Sequence, residues 1–90
     1  MAQAVVAQVR IEPGSDPGHR QAVLSDFVIP QVKAMPGFVR ATWLNDGAGT
    51  GTCIAVFATE NDARAAVAPL TPANGPAVLS AEVHAVEAET

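Results

Sequence analysis

From Ala2 to Ile11 the chain alternates: Val5, Ala7, Val9 and Ile11 fall on one face, and Ala4, Val6, Gln8 and Arg10 on the other. A period of two is a strand, and valine on both faces predicts cover on both sides. Glu12-Pro13-Gly14-Ser15-Asp16-Pro17 follows, with Asp16 placed as an N-cap and Pro17 at the first helical position, where a missing N–H is harmless. From there Val23, Leu24, Phe27, Val28, Val32 and Met35 recur at spacings of one, three and four, which predicts an amphipathic helix from near Pro17 to about Met35. Pro30 predicts a kink within it, because proline cannot donate to the Asp26 carbonyl and its ring crowds that oxygen. Pro36 then pushes Met35 out of helical geometry, and Gly37 supplies a flexible exit.

Phe38 to Asn45 reads as a second strand, and Asp46-Gly47-Ala48-Gly49-Thr50-Gly51 as the turn of a hairpin into Thr52–Ala58. The third strand has almost no polar residue on either face, so it is expected at the centre of the sheet. Thr59 or Asn61 can cap a short second helix, roughly Asp62 to Ala68, which is rich in alanine. Pro69, Pro72, Asn74, Gly75 and Pro76 predict a rigid loop, and a last strand runs from Ala77 to about Glu87.

This order is a repeated split βαβ unit: an α+β, ferredoxin-like βαββαβ fold with a four-stranded antiparallel sheet. Right-handed crossovers put both helices on one face. The other face then lacks cover within the chain, and a second copy of the same sheet is the simplest thing to pack there. A homodimer through the sheet faces is therefore expected.

Composition points the same way. Ninety residues form one domain, and a chain this short buries only roughly 60–65 % of its unfolded surface when alone. Hydrophobic residues make up 49 % of the chain against 16 % charged, a surplus that suits an interface. The formal net charge of −4, with no cluster of lysine or arginine, argues against nucleic acid or an anionic membrane as partner. The single Cys53 excludes an internal disulfide and a cysteine-based zinc cluster, and fits a reducing compartment. No basic leader precedes an apolar core, and no run approaches 18 apolar residues, so a mature cytoplasmic protein is expected.

Pro36-Gly37-Phe38 leading into a strand with an aromatic, and Ile54-Ala55-Val56-Phe57-Ala58-Thr59-Glu60-Asn61-Asp62-Ala63-Arg64-Ala65-Ala66 crossing from strand to helix, resemble the dimeric α+β barrel superfamily. Within it the chain is most similar to the antibiotic biosynthesis monooxygenase-like proteins, over nearly its whole element order. The resemblance implies two sheets facing each other in a dimer, with a pocket in each subunit between sheet and helices. It implies cofactor-independent oxidation of a quinol or polyphenol; the absence of a dense cluster of ionisable residues favours the alternative, a non-catalytic module that binds a small apolar or aromatic molecule or only associates with partners. The haem-degrading members are a poor match, since the first strand offers only Gln3 and Gln8 as amides and the second helix has Ala66 and Val67 where an axial ligand would stand.

Oxidation without a cofactor needs a dry pocket, a base, and a group that stabilises an enolate or phenolate. His84, beside Glu82 and Val86 on one face of the last strand, is the candidate base. Arg40 is the candidate stabiliser; the plainer role for it is a strand-edge ion pair with an acid. Trp43, the only tryptophan, is the candidate stacking surface; otherwise it fills the space between the two sheets. Phe27, Phe38 and Phe57 are candidate substrate contacts, or else they fill the pocket and leave no room for chemistry. Strict alternation puts Trp43 with Val39, Ala41 and Asn45, opposite Phe38, Arg40, Thr42 and Leu44, so Trp43 and Arg40 share no pocket unless a bulge intervenes.

The remaining polar residues carry little. His19 sits in a first helical turn and is expected in solvent. Cys53 reads as a small core hydrophobe. One cysteine and two distant histidines show no metal-ligand spacing, so no metal or other cofactor is expected. The glycine turn joins two strands, whereas a phosphate loop leads into a helix. Ser15, Ser25 and Ser80 occur without a nucleophile motif.

Overall fold

The computed structural model describes residues 1–12, 14, 16–71 and 77–89. Four strands, β1 (Gln3–Arg10), β2 (Phe38–Asn45), β3 (Thr50–Phe57) and β4 (Val78–Ala85), form one antiparallel sheet in the order β2-β3-β1-β4. With two helical segments between them this is the α+β, ferredoxin-like βαββαβ arrangement that the pattern predicts. The two strands that carry apolar residues on both faces, β1 and β3, are the central pair. The expected proline loop lies, from Pro72 to Pro76, outside the described residues, as do Pro13 and Ser15 of the first turn.

The first helical segment departs from a simple kinked helix. It runs as α1 (Pro17–Val23), a π-helical turn (Leu24–Val28) and α2 (Ile29–Lys33). Asp16 caps it, accepting from the Gly18 amide at 3.1 Å. In the π turn the Ile29 amide reaches back to the Leu24 carbonyl. That wider turn sits immediately before Pro30, where the ordinary register would press the ring against the Asp26 carbonyl. The irregularity expected at Pro30 is thus taken up one turn earlier, and the helix ends at Lys33 rather than Met35.

Met35-Pro36-Gly37-Phe38 is a type II turn: the Phe38 amide donates to the Met35 carbonyl at 3.2 Å, and Gly37 has φ +75°. The Gly37 carbonyl accepts from Ala58 at 2.8 Å, tying the turn to the end of β3. A side chain at Gly37 would place its Cβ 2.6 Å from Cγ and 2.9 Å from Cβ of Asp62 in the next helix. Glycine is required here by both conformation and room.

The β2–β3 hairpin is closed by Asp46, whose carboxylate accepts from the amides of Ala48 (2.7 Å) and Thr50 (3.0 Å). Asn45 adds a bond from the Gly47 amide at 2.8 Å. These bonds start β3 at Thr50, two residues earlier than the glycine content suggests. The second helix, α3 (Glu60–Leu70), is also longer than expected. Thr59 caps it through the Asp62 amide at 3.1 Å, and Pro69 is accommodated in its last turn, where Thr71 closes the end with a side-chain bond to the Val67 carbonyl at 2.7 Å.

The core lies between α3 and the sheet. Val5, Ala55, Phe57, Ala63 and Ala66 are buried there, with Met35, Phe38, Val67, Leu70 and Val83 packed around them. Phe38 meets Phe57 edge to face, with ring centroids 6.2 Å apart. Nothing from Pro17 to Val28 is buried; of the first helical segment only Val32 is. The first helix is therefore anchored at one end.

One register shift changes the faces of β2. Phe38 pairs with Phe57 but Arg40 pairs with Val56, leaving Val39 as an extra, exposed residue. The bulge turns Phe38 to the helix side with Ala41, Trp43 and Asn45, which corrects the strict alternation that set Phe38 opposite Trp43. Arg40, Thr42 and Leu44 stay on the open face. A matching shift between Gln8 and Val9 leaves Leu79 extra on β4, so both edge strands are bulged.

Two outcomes follow. Gly37→Ala should lower stability by about 2–4 kcal/mol, combining a left-handed alanine with a displaced Asp62; a denaturation midpoint equal to the parent's would refute this account of the turn. The two backbone bonds hold the Asp46 carboxyl below its ordinary value of 3.8. A depressed carboxyl stabilises the fold above its unfolded pKa and loses that contribution as pH falls through the folded one. The stability difference between the parent and Asp46→Asn should therefore be constant above about pH 5 and shrink below about pH 4. A difference that stays flat to pH 2 would count against it.

Candidate functional site

Because α1 and the π turn are not buried, a cleft remains between the first helix and β2. It has two lobes, of about 310 and 380 Å³, which share Ile29, Ala41 and Trp43. The first is completed by Val32, Lys33, Phe38, Val39 and Arg40, the second by Gln21, Leu24, Ser25 and Thr42. The Val39 bulge builds this site, since it brings Phe38 and Trp43 onto one wall. Trp43 faces the helices and not the open side of the sheet, so it does not fill a space between two sheets.

The predicted site residues divide between the faces. Trp43 and Phe38 line the cleft. Phe57 is fully buried in the core behind it, and Phe27 is 70 % exposed and lines neither lobe. The three phenylalanines therefore do not fill the cleft. Arg40 contributes to its wall, but its guanidinium lies on the open side, 2.7 Å from the Glu89 carboxylate. That is the plainer role, an ion pair with an acid at a strand edge. His84 is also on the open face, with Nε2 3.0 Å from Glu82, both side chains well exposed. Arg40 and His84 stand in one cross-strand row, Arg40–Val56–Ala4–His84, at opposite edges of the sheet. Three strand spacings separate their backbones by about 14 Å.

Glu89 reaches Arg40 from the far edge. The chain leaves β4 at Ala85, the Val86 amide bonds the Ala2 carbonyl at 2.8 Å, and the tail then crosses the end of the central strands. This crossing has no signal in the periodic pattern.

Lys33 and the Gln21/Ser25 pair were not singled out from sequence, since a lysine in a last helical turn usually only complements the carbonyl ends. What could have marked Lys33 is its spacing of four from Ile29, which puts both on one helix face. Among the described residues no cluster of three histidine, cysteine or acidic side chains could hold a metal, and no helix is long and apolar enough to cross a membrane.

Cys53 pairs with Trp43 in the β2–β3 register, and burial pushes its thiol from 9.0 up to about 11. The thiolate at pH 8 is then about 100-fold scarcer than in the unfolded chain. Iodoacetamide should label the native protein far more slowly than the unfolded one, and equal rates would show that the thiol is not buried.

Comparison with models of known protein families, and with curated proteins, finds no match to this chain.

Proposed function

We propose that this chain is a small homodimeric α+β barrel protein that takes a small apolar or aromatic molecule into the cleft beside Trp43. The observation that carries the reading is the cleft itself: an open, mostly apolar groove with a tryptophan in its wall, bordered by a helix fixed at one end only. Such a hollow, with a few polar groups at its mouths, is the usual form of a small-molecule site. Binding is the function this geometry supports best, because the candidate base His84 and the Arg40 guanidinium lie on the other face. The resemblance to antibiotic biosynthesis monooxygenase-like proteins agrees with a pocket at this place.

Dimerisation rests on the open face. Its centre is apolar, with Val6 and Ile54 partly exposed on the two inner strands and Ala4 and Val56 already buried within the subunit, while the edge strands present Arg40, Thr42, Ser80, Glu82 and His84. An apolar centre with a polar rim is how protein interfaces are organised. Leu44 on the same face is 52 % exposed. A four-stranded sheet of this length offers about 500 Å² per copy. A pair would bury about 1,000 Å², the size of a weak, reversible interface rather than a permanent one.

A second reading keeps oxidation and is favoured by the Arg40–Val56–Ala4–His84 row. Facing sheets would enclose that row, with a base at one end, a cation at the other and an apolar floor between them.

Trp43 is the only tryptophan and the chain has no tyrosine, so one indole reports the cleft. Two-ring aromatic probes should shift its N–H resonance saturably, and Ile29→Trp should block them; a panel without any shift would refute the binding reading. Sedimentation at micromolar concentration should give a dimer that Leu44→Lys dissociates, whereas a stable parent monomer would exclude it. Oxygen uptake with quinols that His84→Ala and Arg40→Ala each abolish would move the assignment to the second reading.

A further inference from the structure

The charges around the cleft are lopsided. The chain has nine acids against five lysine and arginine residues, yet among the described residues lining the two lobes there is no carboxylate and there are two cations, Lys33 and Arg40. Arg40 is committed elsewhere, with its guanidinium 2.7 Å from Glu89. Lys33 has no carboxylate within ion-pair distance among the described residues. It is an exposed lining residue of the smaller lobe, on the helix that also supplies Ile29 and Val32 to the wall.

From this we infer that the cleft selects a flat aromatic carboxylate, its ring against Trp43 and Ile29 and its anionic end on the Lys33 ammonium. The inference rests on the cleft being the binding site and adds the class of ligand. A single ammonium, beside an Arg40 guanidinium already held by Glu89, matches one negative charge. A phosphate, with two charges and three acceptor oxygens, needs more donors than this lobe provides. The apolar wall serves the ring, because stacking and burial favour any flat hydrocarbon face, so charge beside it is what discriminates between ligands of one shape. The pair lies at an exposed rim and is therefore sensitive to salt.

The test compares 2-naphthoate with its uncharged counterpart 2-naphthamide, following the Trp43 indole resonance of the full chain. The acid should bind at least about tenfold more tightly at low salt, a preference that shrinks in 0.5 M salt. Lys33→Gln should remove the preference, bringing the acid and the amide to within about twofold of each other. Lys33 is exposed, so this variant keeps its fold, which the native spectrum of the other resonances checks. Equal affinity for acid and amide in the parent would overturn the inference and leave the cleft reading standing. A preference that survives Lys33→Gln would also overturn it, since another group would then supply the charge. If neither probe moves the indole, the cleft reading and the inference fall together.

Discussion

Close approach of α3 to the sheet is the constraint from which the rest of the architecture follows. Ala63 and Ala66 are 0 % and 3 % exposed, and each puts no more than a methyl group between the helix and the strands. Phe57 and Val5 are the largest fully buried side chains among the described residues, and each contributes roughly 1.5–3 kcal/mol on burial. Three alanines, one valine and one phenylalanine thus make a thin core under one helix. Little is left to hold the first helix, which docks through Val32 at its C-terminal end. The cleft beside Trp43 is the direct result: a hollow persists where no side chain is large enough to fill it.

The turn at Gly37 joins these two halves. It ends the first helix, bonds to Ala58 at the end of β3 through its carbonyl, and lies under Asp62 in the first turn of α3. One glycine thereby sets the distance between the anchored end of the first helix and the start of the second. The adjacent Val39 bulge then decides which β2 side chains face that gap. Fold and candidate site meet within three residues of chain.

The two faces of the sheet have different chemistry as a consequence. Beneath the helices the strands present Val5, Ala55, Phe57 and Trp43, and on the open side they present a central apolar strip between charged and hydroxyl-bearing edges. The C-terminal tail belongs to the open side, where Glu89 holds Arg40. An exposed pair of this kind is worth roughly 0.2–1 kcal/mol, so it positions the tail more than it stabilises the fold. The Trp43 wall of the cleft and the central strip of the open face can therefore be altered separately.

Element order, the β2–β3 hairpin and the central place of β3 were legible in the sequence, because alternation and helical spacing are local and repeat often enough to be unambiguous. The Asp16 and Thr59 caps, the stop at Pro36-Gly37 and the glycine hairpin were legible for the same reason: each depends on the backbone of a few adjacent residues. The π turn was only half legible, since Pro30 signals a conflict but not how the preceding turns absorb it. The cleft needed the tertiary structure. A period of two carries no memory of an inserted residue, so the Val39 bulge, set by pairing with β3, moved Phe38 to the face of Trp43. The ion pair of Arg40 with Glu89 spans 49 positions and arises only when a tail from one edge of the sheet reaches the other. By itself the sequence determined which segments would be strands and helices, and that one face of the sheet would lack cover. Which side chains share a wall, and which charge among the described residues stands unpaired beside it, was decided by contacts between segments that no local pattern encodes.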